Sequence, residues 1–179
     1  MRVIGGEFRS RRLQSLPGPH LRPTPDILRE ALFDVLQQRV PGCVFLDAYA
    51  GTGAVGIEAL SRGAARAIFI EKHRGARRVL ELNLAALGLT KRATVVPGAA
   101  GASLARHEAD IVFLDPPYPL ENEYASALAI LGQHPPPLVL VQHDKRFRLA
   151  DSYGALEHLR TLKHGDNVVS FFAPKDNGR

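Results

Sequence analysis

The sequence predicts a doubly wound α/β fold, a mostly parallel seven-stranded sheet finished by an antiparallel hairpin at its C-terminal end. Two observations lead there. The runs within CVFLDAY and DIVFLD are apolar to the last residue before an acid, which suits strands buried on both faces. Such runs alternate with segments of helical period. A third observation adds the hairpin, because the last two strand-like runs meet at Gly165-Asp166, a link short enough only for antiparallel neighbours.

Residues 1–40 are expected to form a basic arm and an amphipathic helix packed on a core spanning residues 41–179. In LRPTPDILREALFDVLQQRV, Pro23 and Pro25 set the helix start and Thr24 or Asp26 can cap it. Ile27, Leu28, Ala31, Leu32, Val35 and Leu36 recur on one face, and VPG at 40–42 ends the helix. The core then reads as strand (43–49), helix (53–61), strand (66–71) and helix (74–87), which stops near Gly88. A strand (93–97), a short helix (about 100–107), a strand (110–115), a helix (122–134) and a strand (137–143) follow. Residues 156–174 supply the last two strands. There are no internal repeats, and no linker divides the core.

At 179 residues and 45% hydrophobic, the chain can bury the core of one domain. No run approaches the roughly 18 apolar residues of a membrane span. MRVIGGEFRS lacks a secretory apolar segment, so a cytoplasmic protein without membrane contact is expected. Cys43 is the only cysteine, which excludes an internal disulfide and a zinc cluster built from several cysteines. His20, His73, His134 and His143 show no metal-ligand spacing, and no metal is expected.

The net charge is +5, and residues 1–22 carry most of it: Arg2, Arg9, Arg11, Arg12 and Arg22 against Glu7 give +4. Arginine without lysine suits phosphate recognition, since the planar guanidinium can bind two oxygens and stack on bases. Interleaved apolar residues in VIGG and RRLQSL set the arm apart from a solvated tail. It is expected to bind nucleic acid.

In sheets of this kind, ligands bind beyond the carboxyl ends of the strands, so the residues leaving each strand should carry the chemistry. LDAYAGTGAVG passes from Asp47 to Gly51, Gly53 and Gly56, glycines that permit a tight turn and close approach of a ligand. Glu71 closes the next strand, about 20 residues after Gly51, where an acid commonly bonds ribose hydroxyls. Asp115 ends the fourth strand and opens Asp115-Pro116-Pro117-Tyr118. GTGAVG alone matches a dinucleotide fingerprint, yet an acid at the strand tip is a poor neighbour for pyrophosphate. Beside a sulfonium it is favourable, so the electrostatics favour S-adenosylmethionine.

Asp47-Ala-Tyr-Ala-Gly51-Thr-Gly53 resembles the first motif of the class I methyltransferases, Glu71 their ribose-binding acid, and Asp115-Pro116-Pro117-Tyr118 the motif of those that methylate exocyclic amino or amide nitrogens. RVIGGEFRSRRL and LRPTPDILREALFDVL are further similar to the N-terminal signature of the RsmD family of bacterial 16S ribosomal RNA guanine-N2 methyltransferases, and the similarity runs from Arg2 to about Gln142. The resemblance implies a Rossmann-like methyltransferase fold and S-adenosylmethionine as cofactor. It implies a monomer acting on 16S ribosomal RNA, within an assembled or partly assembled small subunit. Asp47, Ala50, Gly51, Thr52, Gly53, Glu71, Lys72, Ala99 and Asp115 would hold the cofactor, and Asp115, Pro116, Pro117 and Tyr118 would do the chemistry. Arg2, Arg9, Arg11, Arg12, Arg22 and Arg29 would contact RNA. One position departs from the family, which has an acid followed by alanine after the third strand to hold the adenine amino group. This chain offers Ala99, and the contact would fall to backbone groups near residues 98–100.

The proline pair has a chemical rationale. With φ fixed and no N–H, Pro116 and Pro117 make a rigid turn on which the Asp115 carboxylate and the Pro116 carbonyl can present acceptors to one amine. Tyr118 would stack on the base. Rival functions share parts of this pattern. A DNA amino-methyltransferase would normally add a target-recognition region for which 179 residues leave little room, and a protein glutamine methyltransferase usually has asparagine in place of Asp115. A nicotinamide dehydrogenase would need a hydride-transfer site, and a non-catalytic RNA-binding protein would not need Asp115 and Tyr118.

Overall fold

The computed structural model describes residues 1–16, 24–117 and 121–176. Helix α1 (Asp26–Val35) precedes strand β1 (Val44–Asp47), followed by α2 (Ala54–Ser61), β2 (Arg66–Glu71), α3 (Arg74–Ala86), β3 (Ala93–Pro97), α4 (Ala100–Leu104), β4 (Ile111–Leu114), α5 (Glu121–Leu131) and β5 (Leu138–Asp144). Strands β6 (Ser152–Tyr153), β7 (Leu156–His164) and β8 (Asn167–Pro174) complete the chain. The sheet order is β3-β2-β1-β4-β5-β8-β7-β6. Strands β1 to β5 are mutually parallel where they pair, and β8 joins β5 antiparallel.

Alternation along the strands feeds two apolar layers, as both-face burial requires. Phe45, Phe69 and Phe113 point to the layer built with Leu28, Leu32, Phe33, Ile57 and Leu80 of α1, α2 and α3. Leu46, Ile70, Val112 and Leu114 point to the opposite layer, with Leu104, Leu128 and Val139. No helix among the described residues is long and apolar enough to cross a membrane.

Three details correct the sequence expectations. Among the described residues the sheet has eight strands rather than seven, because the two-residue β6 pairs with the start of β7 at Ser152 and Tyr153. Two residues are too few to show a period. The buried face of α1 is Leu28, Arg29, Leu32 and Phe33, whereas Ile27 and Val35 are exposed. Pro25 is the N-cap and no side chain caps the helix, because Thr24 Oγ1 instead donates to Gln142 Oε1 at 3.0 Å and Asp26 pairs with Arg29.

Residues 1–16 do not trail from this core. Val3 and Leu13 are buried in it, and Arg2 and Arg12 form an antiparallel bridge. Glu58 of α2, itself wholly buried, accepts the Ile4 amide at 2.9 Å and the Gly5 amide at 2.8 Å, while Ser61 accepts the Phe8 amide and donates to the Gly5 carbonyl.

Candidate active site

Parallel strands end on one side of the sheet, and the topology places Asp47, Glu71 and Asp115 there together. Asp47 pairs in register with Phe69 of β2 and Phe113 of β4, so Glu71 and Asp115 each lie two residues further on, Glu71 as the last residue of β2 and Asp115 just past the end of β4. Asp47 is buried, and its Oδ2 accepts the Gly56 amide at 3.0 Å, which ties the strand end to the first turn of α2. Burial pushes its carboxyl up to about 7, opposed by the Gly56 amide and reinforced by the nearby Glu71 charge. Asp115 is also raised to about 7, by desolvation first and the Asp47 charge second. Among the described residues neither carboxyl has an ion-pair partner.

Between these acids the chain turns sharply. Gly51 and Gly53 have φ of 55° and 89°, a left-handed backbone that glycine adopts without strain. Space matters as much as angle, because a Cβ on Gly53 would lie 2.3 Å from Leu80 Cδ1, and one on Gly56 would lie 2.3 Å from Phe69 Cε1. The Ala50 amide donates to the Ile70 carbonyl, and the Gly51 amide donates to Glu71 Oε2 at 2.8 Å. Glu71 Oε1 accepts the His73 amide at 2.7 Å. Glu71 is thus no surface partner of Lys72 or Arg74; it fixes the glycine loop against β2. Lys72 is exposed beside it, with its carbonyl bonded by Arg77. Ala99 is exposed at the N-cap of α4, past the end of β3.

Pro116 is buried and Pro117 exposed, continuing from Asp115 as expected, while Tyr118 lies outside the described residues, as does Arg22. Arg2, Arg9, Arg11 and Arg12 are all exposed on the docked arm. Arg29 is not available to RNA. Its side chain is wholly buried, with Nη2 donating to the Arg2 carbonyl at 2.6 Å and to Asp26 Oδ1 at 3.0 Å, and Nε 3.8 Å from Glu58 Oε2. Its position on α1 turns it inward with Leu28, Leu32 and Phe33, so it anchors the arm rather than meeting a ligand.

Sequence reasoning missed Glu58, Asn83 and Tyr49. Tyr49, within the glycine loop, donates from its hydroxyl to Glu123 Oε2 of α5 at 2.8 Å. Glu58 left a signal, as a lone acid in the apolar stretch VGIEAL. Asn83 left none.

The residues present fit a cationic nucleoside ligand. Buried Asp47 and half-buried Asp115, without a counter-ion among the described residues, flank a loop that turns at Gly51 and Gly53, and Glu71 stands at the neighbouring strand tip. The family described as "Conserved hypothetical protein 95" matches residues 1–173. The ribosomal RNA small subunit methyltransferase D of Escherichia coli K12 is 44% identical over 120 residues, covering 66% of this chain and 60% of that protein. The Haemophilus influenzae protein of the same name is 32% identical over 154 residues, covering 81% of this chain and 79% of that one. An RNA methyltransferase of Salinibacter ruber, solved in complex with S-adenosyl-L-homocysteine, shares the fold with a TM-score of 0.69 at 20% identity, over 88% of this chain and 97% of that one. The chain belongs to the conserved hypothetical protein 95 family, in which the ribosomal RNA small subunit methyltransferase D proteins are its relatives.

Proposed function

We propose that this protein uses S-adenosylmethionine to methylate the exocyclic 2-amino group of a guanine in small-subunit ribosomal RNA, within an assembled or partly assembled subunit. The observation that carries this reading is the carboxyl pair at adjoining strand ends, Asp47 buried and Asp115 half-buried, which a positively charged ligand would neutralise. Relatives named as ribosomal RNA small subunit methyltransferases support the ribosomal RNA methylation in this reading.

When bound, S-adenosylmethionine supplies an electrophilic methyl on a positively charged sulfur. The rest falls to the chain. The Gly51 and Gly53 turn admits the ligand close to the backbone, and Glu71, already accepting two amides, keeps lone pairs for ribose hydroxyls. Ala50, Thr52, Lys72 and Ala99 complete the set of residues that would hold the cofactor. Asp115 and the Pro116 carbonyl accept the two amine hydrogens and hold the nitrogen lone pair outward; alignment of this kind can contribute roughly 7–11 kcal/mol. Asp115 also takes the surplus proton. A carboxyl raised to about 7 is basic enough to relieve a methylated aryl amine, whose conjugate acid is far stronger. Tyr118 stacks on the base, and Arg2, Arg9, Arg11, Arg12 and Arg22 bind phosphates, which offsets the few kcal/mol that unstacking a base costs.

The test is to incubate the protein with labelled cofactor and small subunits lacking the modification, then map the label by mass spectrometry. A single N2-methylguanine in the RNA is expected. Label on another base, on protein, or nowhere would overturn the reading.

A further inference from the structure

The glycine loop is braced from outside as well as from within. Asn83 of α3 is 2% exposed, and its amide uses both its N–H group and its oxygen. Oδ1 accepts the Gln14 amide at 2.8 Å, while Nδ2 donates to the Gln14 carbonyl at 3.1 Å and to the Thr52 carbonyl at 3.0 Å. A primary amide has two N–H hydrogens and one carbonyl, so no other side chain of this size except an amide can make this set. Leu80, one turn earlier on the same helix, lies beneath Gly53. One face of α3 therefore supports Thr52 and Gly53 together, and Asn83 joins that support to the arm.

We propose that Asn83 is a positioning residue that couples the N-terminal arm to the glycine loop, so that docking of the arm raises the affinity of the loop for an adenosyl ligand. The proposal rests on the functional reading above, in which that loop holds the cofactor. With the arm bound, the two hydrogen bonds to Gln14 fix the Asn83 rotamer and aim its remaining hydrogen at the Thr52 carbonyl. With the arm released, the amide is free to turn and the loop loses a fixed donor, so the cost of ordering it falls on ligand binding. Linkage makes the effect mutual, and a bound adenosyl ligand holds the arm, with its exposed arginines, in place by the same factor. An arm that looks by charge like an RNA element thus also serves the cofactor.

Calorimetry with S-adenosylhomocysteine tests this on the full chain, comparing the unmodified protein, Asn83→Ala, Gln14→Pro and the double variant. Gln14 is exposed and enters the link only through its backbone, so proline there removes one donor without touching α3. Each single variant is expected to bind about 5- to 20-fold more weakly, within the usual range of couplings, and the double variant no more weakly than the worse single, since both break one link. In turnover the KM for the cofactor rises while kcat at saturation holds, a split that general destabilisation does not produce. Unchanged affinity in Gln14→Pro, or losses that multiply in the double variant, would overturn the coupling alone; should Asn83→Ala not fold, Gln14→Pro decides. An unmodified protein that does not bind the ligand overturns the functional reading, and this proposal with it.

Discussion

Asp47 sits close enough to Asp115 that its charge adds to burial in raising the proton affinity of Asp115, and the two carboxyls belong to adjoining strands whose register partners are Asp47 and Phe113. This relationship makes the site sensitive to pH near neutrality.

Activity should follow the ionised form of Asp115. Because its carboxyl is raised to about 7, kcat/KM is expected to fall about tenfold per unit as pH drops below that value and to level off above it. A pH–rate profile from about 5 to about 9 checks this, and a profile flat across that acid range would contradict it.

The same kind of shift acts on folding with the opposite preference. A carboxyl with a folded-state value above its unfolded one binds protons on folding, so its contribution to stability is fullest below about pH 4 and is lost as pH rises through about 7. Asp47→Asn keeps an acceptor for the Gly56 amide and removes the titration. The ligand-free variant should therefore gain stability over the unmodified protein at about pH 8 and show little gain at about pH 4, measured by urea denaturation at both values.

Glu58 and Arg29, 3.8 Å apart and each with a wholly buried side chain, hold the arm through the Ile4 and Gly5 amides and the Arg2 carbonyl. Glu58→Ala would remove the buried carboxylate beside Arg29, leaving Asp26 as its ion-pair partner, and free the Ile4 and Gly5 amides; removal of one partner from a buried pair costs about 3–5 kcal/mol. Denaturant titration should register that loss. A cost below about 1 kcal/mol would show that the network is not what keeps the arm on α2.

The exposed arginines predict a different signature. Replacing Arg9, Arg11 and Arg12 with alanine should leave thermal stability unchanged and weaken RNA binding, with the slope of log K against log salt reduced by about 0.7–0.9 for each phosphate no longer neutralised. An unchanged slope would remove the arm from the RNA interface.

The strand ends were readable because an apolar run ending in an acid is a local pattern. Asp47, Glu71 and Asp115 therefore stand where the sequence puts them, and Arg66–Glu71 and Ala93–Pro97 have the expected bounds. What escaped depends on distant partners. The resemblance cast Arg29 as an RNA contact, and only the arm and Glu58 of α2 make it a buried anchor. Asn83 meets Gln14 across 69 residues and Thr52 across 31, and nothing in RRVLELNLAA marks it. Tyr49 reaches Glu123 across 74 residues. Charge and interleaved apolar residues made the arm look like an RNA element, and two of those apolar residues, Val3 and Leu13, are buried in the core.

The most direct test of the central claim is a single-turnover experiment on Asp115→Ala at saturating S-adenosylmethionine, with cofactor affinity measured in parallel. A carboxylate that orients the amine and takes its proton predicts that methyl transfer falls by at least about a thousandfold while cofactor affinity stays within several-fold of the unmodified protein. Near-normal transfer at saturation, with the loss confined to cofactor binding, would contradict it.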